Sequence, residues 1–181
     1  MAVRDIVYYG DPILREECNN VLPDEDLSDL INDMMDSMYE AEGIGLAANQ
    51  IGVNKNLFVV DISHVDENEN PRVFINGKIE HSQGESVYSE GCLSLPEIKF
   101  DVTRSEIITF SFQDEDRKKK VEEFDGLLAR AIQHEVDHLN GILIIDRVSR
   151  AAKIPYLKNI RNFKKTSIKG SNIKSKPEVY L

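Results

Sequence analysis

DGLLARAIQHEVDHLNG, residues 125–141, decides how the rest of this chain is read. Asp125 can cap a helix N-terminus and Gly141 can close the other end in a left-handed turn, so the segment reads as one helix. Apolar residues surround much of its circumference, which predicts a buried, central helix. Inside it, His134-Glu135-Val136-Asp137-His138 is an HExxH pattern. Histidines four apart leave the same helix face, where two imidazoles can grip one metal ion and Glu135 can serve an adjacent water. Two hydrogen-bonded core histidines would produce the same letters, so the pattern is tested by whether a third ligand exists.

A catalytic ion of this kind takes three protein ligands and keeps one position open. Downstream candidates fail. A third histidine at metzincin spacing would fall at position 144, which is Ile144, and the only later glutamate is Glu178. Upstream, Glu90-Gly91-Cys92-Leu93-Ser94-Leu95-Pro96 offers Cys92 beside a predicted strand. A lone cysteine is often a small buried apolar residue. One thiolate with two imidazoles, however, suits zinc or ferrous iron, so Cys92 is the natural partner of His134 and His138.

Working outward, Leu27, Leu30, Ile31, Met34, Met35 and Met38 recur at spacings of three and four, predicting an amphipathic helix over Asp24–Glu40. Gly43 and Gly45 break it, and Leu57–Ile62 reads as a buried strand. Between residues 72 and 124, five short β-rich segments (72–75, 85–88, 98–103, 107–112 and 119–124) give an antiparallel pattern. After the apolar run 142–145, Pro155 is positioned to start a helix with Tyr156, Ile160 and Phe163 on one face. The last dozen residues read as loosely held.

With 181 residues and 41% hydrophobic content, the chain supports a single domain, 1–181, with its own core. No apolar run approaches the ~18 residues that cross a bilayer, and no signal or transit pattern opens the chain, so a soluble cytoplasmic protein is expected, without membrane partners. Cys18 and Cys92 then read as free thiols or ligands rather than a disulfide. Charge is segregated: residues 1–146 hold 12 basic against 31 acidic side chains, whereas 147–176 hold 10 basic and none acidic. The acidic body argues against broad or sequence-specific nucleic-acid binding; the basic segment 147–181 could touch a polyanion locally.

Three segments, GIGLAANQ (43–50), EGCLS (90–94) and QHEVDHLNG (133–141), stand in the order and approximate spacing of the peptide deformylase signature, and GDPILR (10–15) is similar to that family's N-terminal region. The resemblance spans residues 8 to about 147. It implies an α+β fold in which antiparallel β-sheets pack around the HExxH helix, with an N-terminal and a C-terminal helix. It further implies that Cys92, His134 and His138 bind one divalent ion, Fe2+ first and Zn2+ as an alternative. Glu135 is then the general acid and base, and the Gln50 side chain and Leu93 backbone N–H stabilise the oxyanion. Gly43 and Gly45 let substrate approach the backbone. The implied substrate is a formyl-methionyl nascent peptide, from which formate is released.

A methionine pocket must be apolar and near the ion. Helical phase puts Ala131 and Leu127 on the metal side, and Ile44 lies between the two glycines; all three are wall candidates that could equally be core. Glu90 and Asp137, beside the ligands, read as groups that orient an imidazole or the loop. Because deformylases act on nascent chains, Lys158, Arg161, Lys164 and Lys165 suggest ribosome docking. Two other readings remain: a zincin-type peptidase, and an inactive ribosome-binding relative.

Overall fold

Leu57-Phe58-Val59-Val60 shows how the molecule is layered. Successive strand residues face opposite sides, and here both sides are covered, so all four are buried. Phe58 and Val60 join Phe74, Phe110 and the helix residues Leu128 and Ile132. Leu57 and Val59 join Leu46, Ile75, Met34 and Met38. A strand buried on both faces shows a continuous apolar run instead of alternation.

The computed structural model describes residues 2–167, with side chains as far as Lys164. Its strands are β1 (Gly45–Ala47), β2 (Leu57–Val60), β3 (Arg72–Gln83), β4 (Ser86–Glu90), β5 (Phe100–Arg104), β6 (Ile107–Gln113) and β7 (Lys119–Asp125). Five form an antiparallel sheet in the order β1-β2-β3-β6-β7, and β4 and β5 form a separate antiparallel pair. Helix α2 (Gly126–Leu139) packs on one side of the large sheet, and α1 (Ser28–Glu40) packs against the opposite side of β1–β3. Antiparallel sheets around the HExxH helix are thus the observed arrangement.

Several boundaries differ from the sequence reading. Helix α1 starts at Ser28, not Asp24, because the Asp26 carboxylate accepts both the backbone N–H and the hydroxyl of Ser28 and holds the preceding acidic residues in a turn. Strand β3 continues to Gln83 through Asn76-Gly77, a pair that reads as a turn but forms a bulge in the register with β6. Asn76 takes a positive φ of 52°, and its side chain bonds both backbone groups of Val21. Strand β1 was not expected: Gly45-Leu46-Ala47 has little strand propensity, and its pairing with β2 is a tertiary decision.

Asp125 occupies the N-cap of α2 without a capping bond from its side chain. At the other end Gly141 has φ +69°, and a Cβ there would come within 2.6 Å of the Arg15 carbonyl, so glycine is needed twice over. The C-terminal helical segment begins earlier than Pro155. Ser149 accepts the Ala152 N–H and opens α3 (Arg150–Lys153); Pro155 sits in a 3-10 turn, and α4 (Leu157–Ser167) follows. The expected face does pack: Phe163, Tyr156 and Ile160 cover a third apolar cluster that contains Leu14, Cys92, Leu95 and Phe100. The loosely held tail expected beyond residue 168 and the Lys165 side chain lie outside the described residues. Among the described residues, no helix is long and apolar enough to cross a membrane.

Candidate metal centre and its surroundings

Helix α2 supplies His134 and His138 from one face, with ring centroids 5.1 Å apart. The loop leaving β4 supplies Cys92, whose Sγ lies 3.2 Å from His138 Nε2. One ligand atom from each of the three residues falls within 4.8 Å of the others, and all three are buried. Ligands around a tetrahedral ion with these donors stand about 3.5 Å apart. His134 commits Nδ1 to Glu90 Oε2 at 3.2 Å, while its Nε2 is buried without a hydrogen-bond partner. An orphaned imidazole nitrogen facing a thiol and a second imidazole is what a metal ligand looks like without its ion, so the residues present fit the group.

Behind the ligands lies an ion network. The Glu90 carboxylate receives Arg104 Nε at 2.7 Å and Nη2 at 2.8 Å, together with Arg130 Nη1 at 2.5 Å. Arg104 Nη1 reaches Asp137 at 2.8 Å, and Arg147 closes on the same carboxylate. Burial pushes the Glu90 carboxyl upward, but hydrogen bonds from His134 and Arg104 outweigh it and hold it at about 2. Despite burial, Cys92 and then Glu90 raise the His134 imidazole. His138, buried and facing His134, is driven well below its ordinary value. Glu90 therefore touches the imidazole of His134, whereas Asp137, expected to orient an imidazole or the loop, is engaged by Arg104 and Arg147.

Glu135 is 1% exposed, and burial lifts its carboxyl to about 7. Its Oε2 has no protein partner, and a Cβ on Gly45 would meet its Oε1 at 2.5 Å. Gly45 thus clears the space that Glu135 occupies. A Cβ on Gly43 would meet Leu93 Cδ1 at 2.8 Å, so the first glycine makes room for the EGCLS loop. Gln50 Oε1 accepts the Ala47 N–H at 2.8 Å, which fixes the amide so that Nε2 faces Ser94 Oγ at 3.3 Å and Cys92 Sγ at 3.9 Å. Leu93 follows Cys92 in a turn closed by Leu95 N–H onto the Cys92 carbonyl. The Leu93 N–H takes no part in closing that turn.

The wall candidates separate. Leu127 lines an open cavity of about 590 Å³ with Ile107, Val65, Tyr88 and Arg130. Ile44 and Ala131 are instead packed in the core beneath α2, 4% and 1% exposed, and do not line it. Helical phase indicates a side, but i and i+4 neighbours can still be separated by depth.

Four contributors escaped the sequence reading: Arg104, Arg130, Asn49, whose Nδ2 donates to the His138 carbonyl at 2.6 Å, and Ser94. Arg104 left a signal, since it shares the inward phase of Phe100 and Val102 on β5. Arg130 stands among apolar neighbours in α2, a place where an unpaired cation is costly.

A helix presenting two imidazoles and a carboxylate, with a cysteine sulfur brought from a separate loop, defines a metal-dependent hydrolase. Its family is also found by comparison. A family model described as polypeptide deformylase matches residues 3–153. The peptide deformylase of Rhizobium meliloti is 42% identical over 92% of this chain and 97% of its own length, and that of Chromobacterium violaceum is 47% identical over 83% and 89%. The crystal structure of the Legionella pneumophila peptide deformylase superposes with a TM-score of 0.82 at 40% identity, covering 94% of this chain and all of the other. The chain belongs to the polypeptide deformylase family, metal-dependent hydrolases that remove the N-terminal formyl group from nascent peptides. The peptidase and inactive-relative readings are not favoured.

Proposed function

We propose that this chain deformylates formyl-methionyl peptides with Cys92, His134 and His138 holding one Fe2+ ion, a site whose donors also accept Zn2+. The observation that carries the reading is the buried, partnerless Nε2 of His134 beside Cys92 and His138. When bound, the ion supplies Lewis acidity at the formyl oxygen and acidifies the attacking water. Glu135, held near neutrality by burial, takes the proton from that water and returns it to the departing amine. Gln50 Nε2, with its amide locked by Ala47, and the Leu93 N–H donate to the developing oxyanion. Formate and a free N-terminus leave.

The cavity beside Leu127 takes the methionine side chain, with Val65, Tyr88, Ile107 and Leu127 as its apolar walls and Arg130, one helical turn before His134, at its edge. Ile44 and Ala131 support it from the core. Exposed Lys158, Arg161 and Lys164 lie away from the packed face of α4 and offer a cationic surface to the ribosome; binding that is unaffected by added salt would remove this part.

The test is formate release from a formyl-Met peptide by anaerobically prepared, iron-loaded protein, with an acetyl-Met peptide as control. Glu135→Gln is expected to keep the metal and lose turnover by at least ~100-fold. Normal turnover in that variant sinks the assignment of Glu135.

A further inference from the structure

Arg130 stands one helical turn before His134, so the two side chains leave the same face of α2. Its chain neighbours Ala129 and Ala131 are core residues, and an aliphatic side chain would serve the packing. A guanidinium is buried there instead, with 6% of the side chain exposed, a costly placement unless its N–H groups find acceptors. They do. Nη1 donates to Glu90 Oε1 at 2.5 Å and to the Val102 carbonyl at 3.1 Å; Nη2 donates to the Ser86 carbonyl at 2.9 Å and Oγ at 2.8 Å. The guanidinium also lies over the Tyr88 ring, 5.7 Å from its centroid.

Ser86, Tyr88 and Glu90 alternate along one face of β4, so Arg130 grips that face along its length. Arg104 also holds Glu90, but from β5 and on the side of Asp137. Arg130 holds it from α2 and on the side of the cavity, whose walls include Ser86 and Tyr88 from β4 and Leu127 from α2. Arg130 therefore ties those walls to the carboxylate under His134 Nδ1, a carboxylate that Arg104 holds from the other side.

We propose that Arg130 is a positioning residue that couples the width of the first-residue cavity to the orientation of the ligand His134, and thereby sets which formylated first residue is accepted. The proposal rests on the ligand and cavity assignments made above. Lysine at this position keeps a charge that can meet Glu90 but cannot bridge Glu90 and Ser86 as a planar fork does. Methionine keeps length and loses every donor.

The test uses metal-loaded wild type, Arg130→Met and Arg130→Lys. Three quantities are read: folding by circular dichroism, Zn2+ affinity by competition with a chelator, and kcat and KM on formyl-Met and formyl-Phe peptides. Arg130→Met is expected to weaken Zn2+ affinity by ~10–100-fold and to lower the formyl-Met over formyl-Phe preference by about tenfold, mainly through KM. Arg130→Lys is expected to recover most of the Zn2+ affinity but not the preference. A folded Arg130→Met with wild-type Zn2+ affinity overturns the proposal, as does lost affinity with unchanged preference. If Arg130→Met does not fold, Arg130→Lys decides alone, and wild-type preference in it overturns the proposal. Failure of the wild type itself to bind one Zn2+ or release formate strikes the underlying ligand reading instead and is seen before any variant is compared.

Discussion

Two sets of ion pairs in this molecule have nearly the same length and opposite weight. Behind the candidate metal ligands, Arg104 meets Glu90 at 2.7 Å with side chains 3% and 0% exposed. On the β6–β7 hairpin, Lys118 meets Asp116 at 2.8 Å with side chains 70% and 66% exposed. Water screens the second pair and competes for both of its members, so its net worth is small. In the first pair desolvation has already been incurred on folding, and each charge depends on its partner. Distance alone does not rank electrostatic contacts; solvent exclusion does. The buried set is also the one that touches the imidazole of His134, so stability and the proposed metal site draw on the same carboxylate.

Glu90→Gln attacks the buried set at its centre and should show the largest effect. It leaves Arg104 and Arg130 without their carboxylate, which costs about 3–5 kcal/mol in urea unfolding, and it weakens metal affinity by ~10–100-fold. A loss under ~1 kcal/mol would mean that solvent reaches the network and the contrast is false. Asp137→Asn should do less, about 1–3 kcal/mol, because its other partner Arg147 is 43% exposed and can rehydrate. Lys118→Ala marks the opposite pole, with no resolvable change in urea unfolding at ordinary ionic strength and an effect that emerges only as salt is removed. An ordering in which Lys118→Ala costs more than Asp137→Asn would reverse the comparison.

The two halves of the site were unequally legible. His134 and His138 are fixed by local geometry, since a helix brings positions four apart together whatever surrounds it. Cys92 was found by elimination of downstream donors, then met by the fold at 3.2 Å from His138. Gln50 and Leu93 have no signature of their own and entered only through the family pattern. Their usable donors depend on Ala47 fixing the Gln50 amide and on the turn after Cys92. Ala131 shows the converse, sharing the right helical phase while lying too deep to line the cavity, and Ile44, singled out by its place between the glycines, is equally deep.

Elements divide along the same line. Apolar spacing marked α1, α2 and β2, because burial of one face or both writes itself into local sequence. Asn76-Gly77 hid the length of β3, since the letters that suit a turn also suit a bulge, and only pairing with β6 chooses between them. Strand β1 exists because β2 offers it a partner.

By itself the sequence determined a buried helix carrying the HExxH pattern, a run of antiparallel strands, Cys92 as candidate third donor, and a deformylase pattern across three separated segments whose resemblance placed the helix inside the sheets. The tertiary structure alone decided which charges lie behind the ligands, which apolar residues border open space, and where Gln50 and Glu135 face. The physical reason is range. Helical phase and apolar periodicity act over a few residues, whereas ion pairing, cavity shape and solvent exclusion join Glu90, Arg104 and Arg130 only after three distant segments have packed.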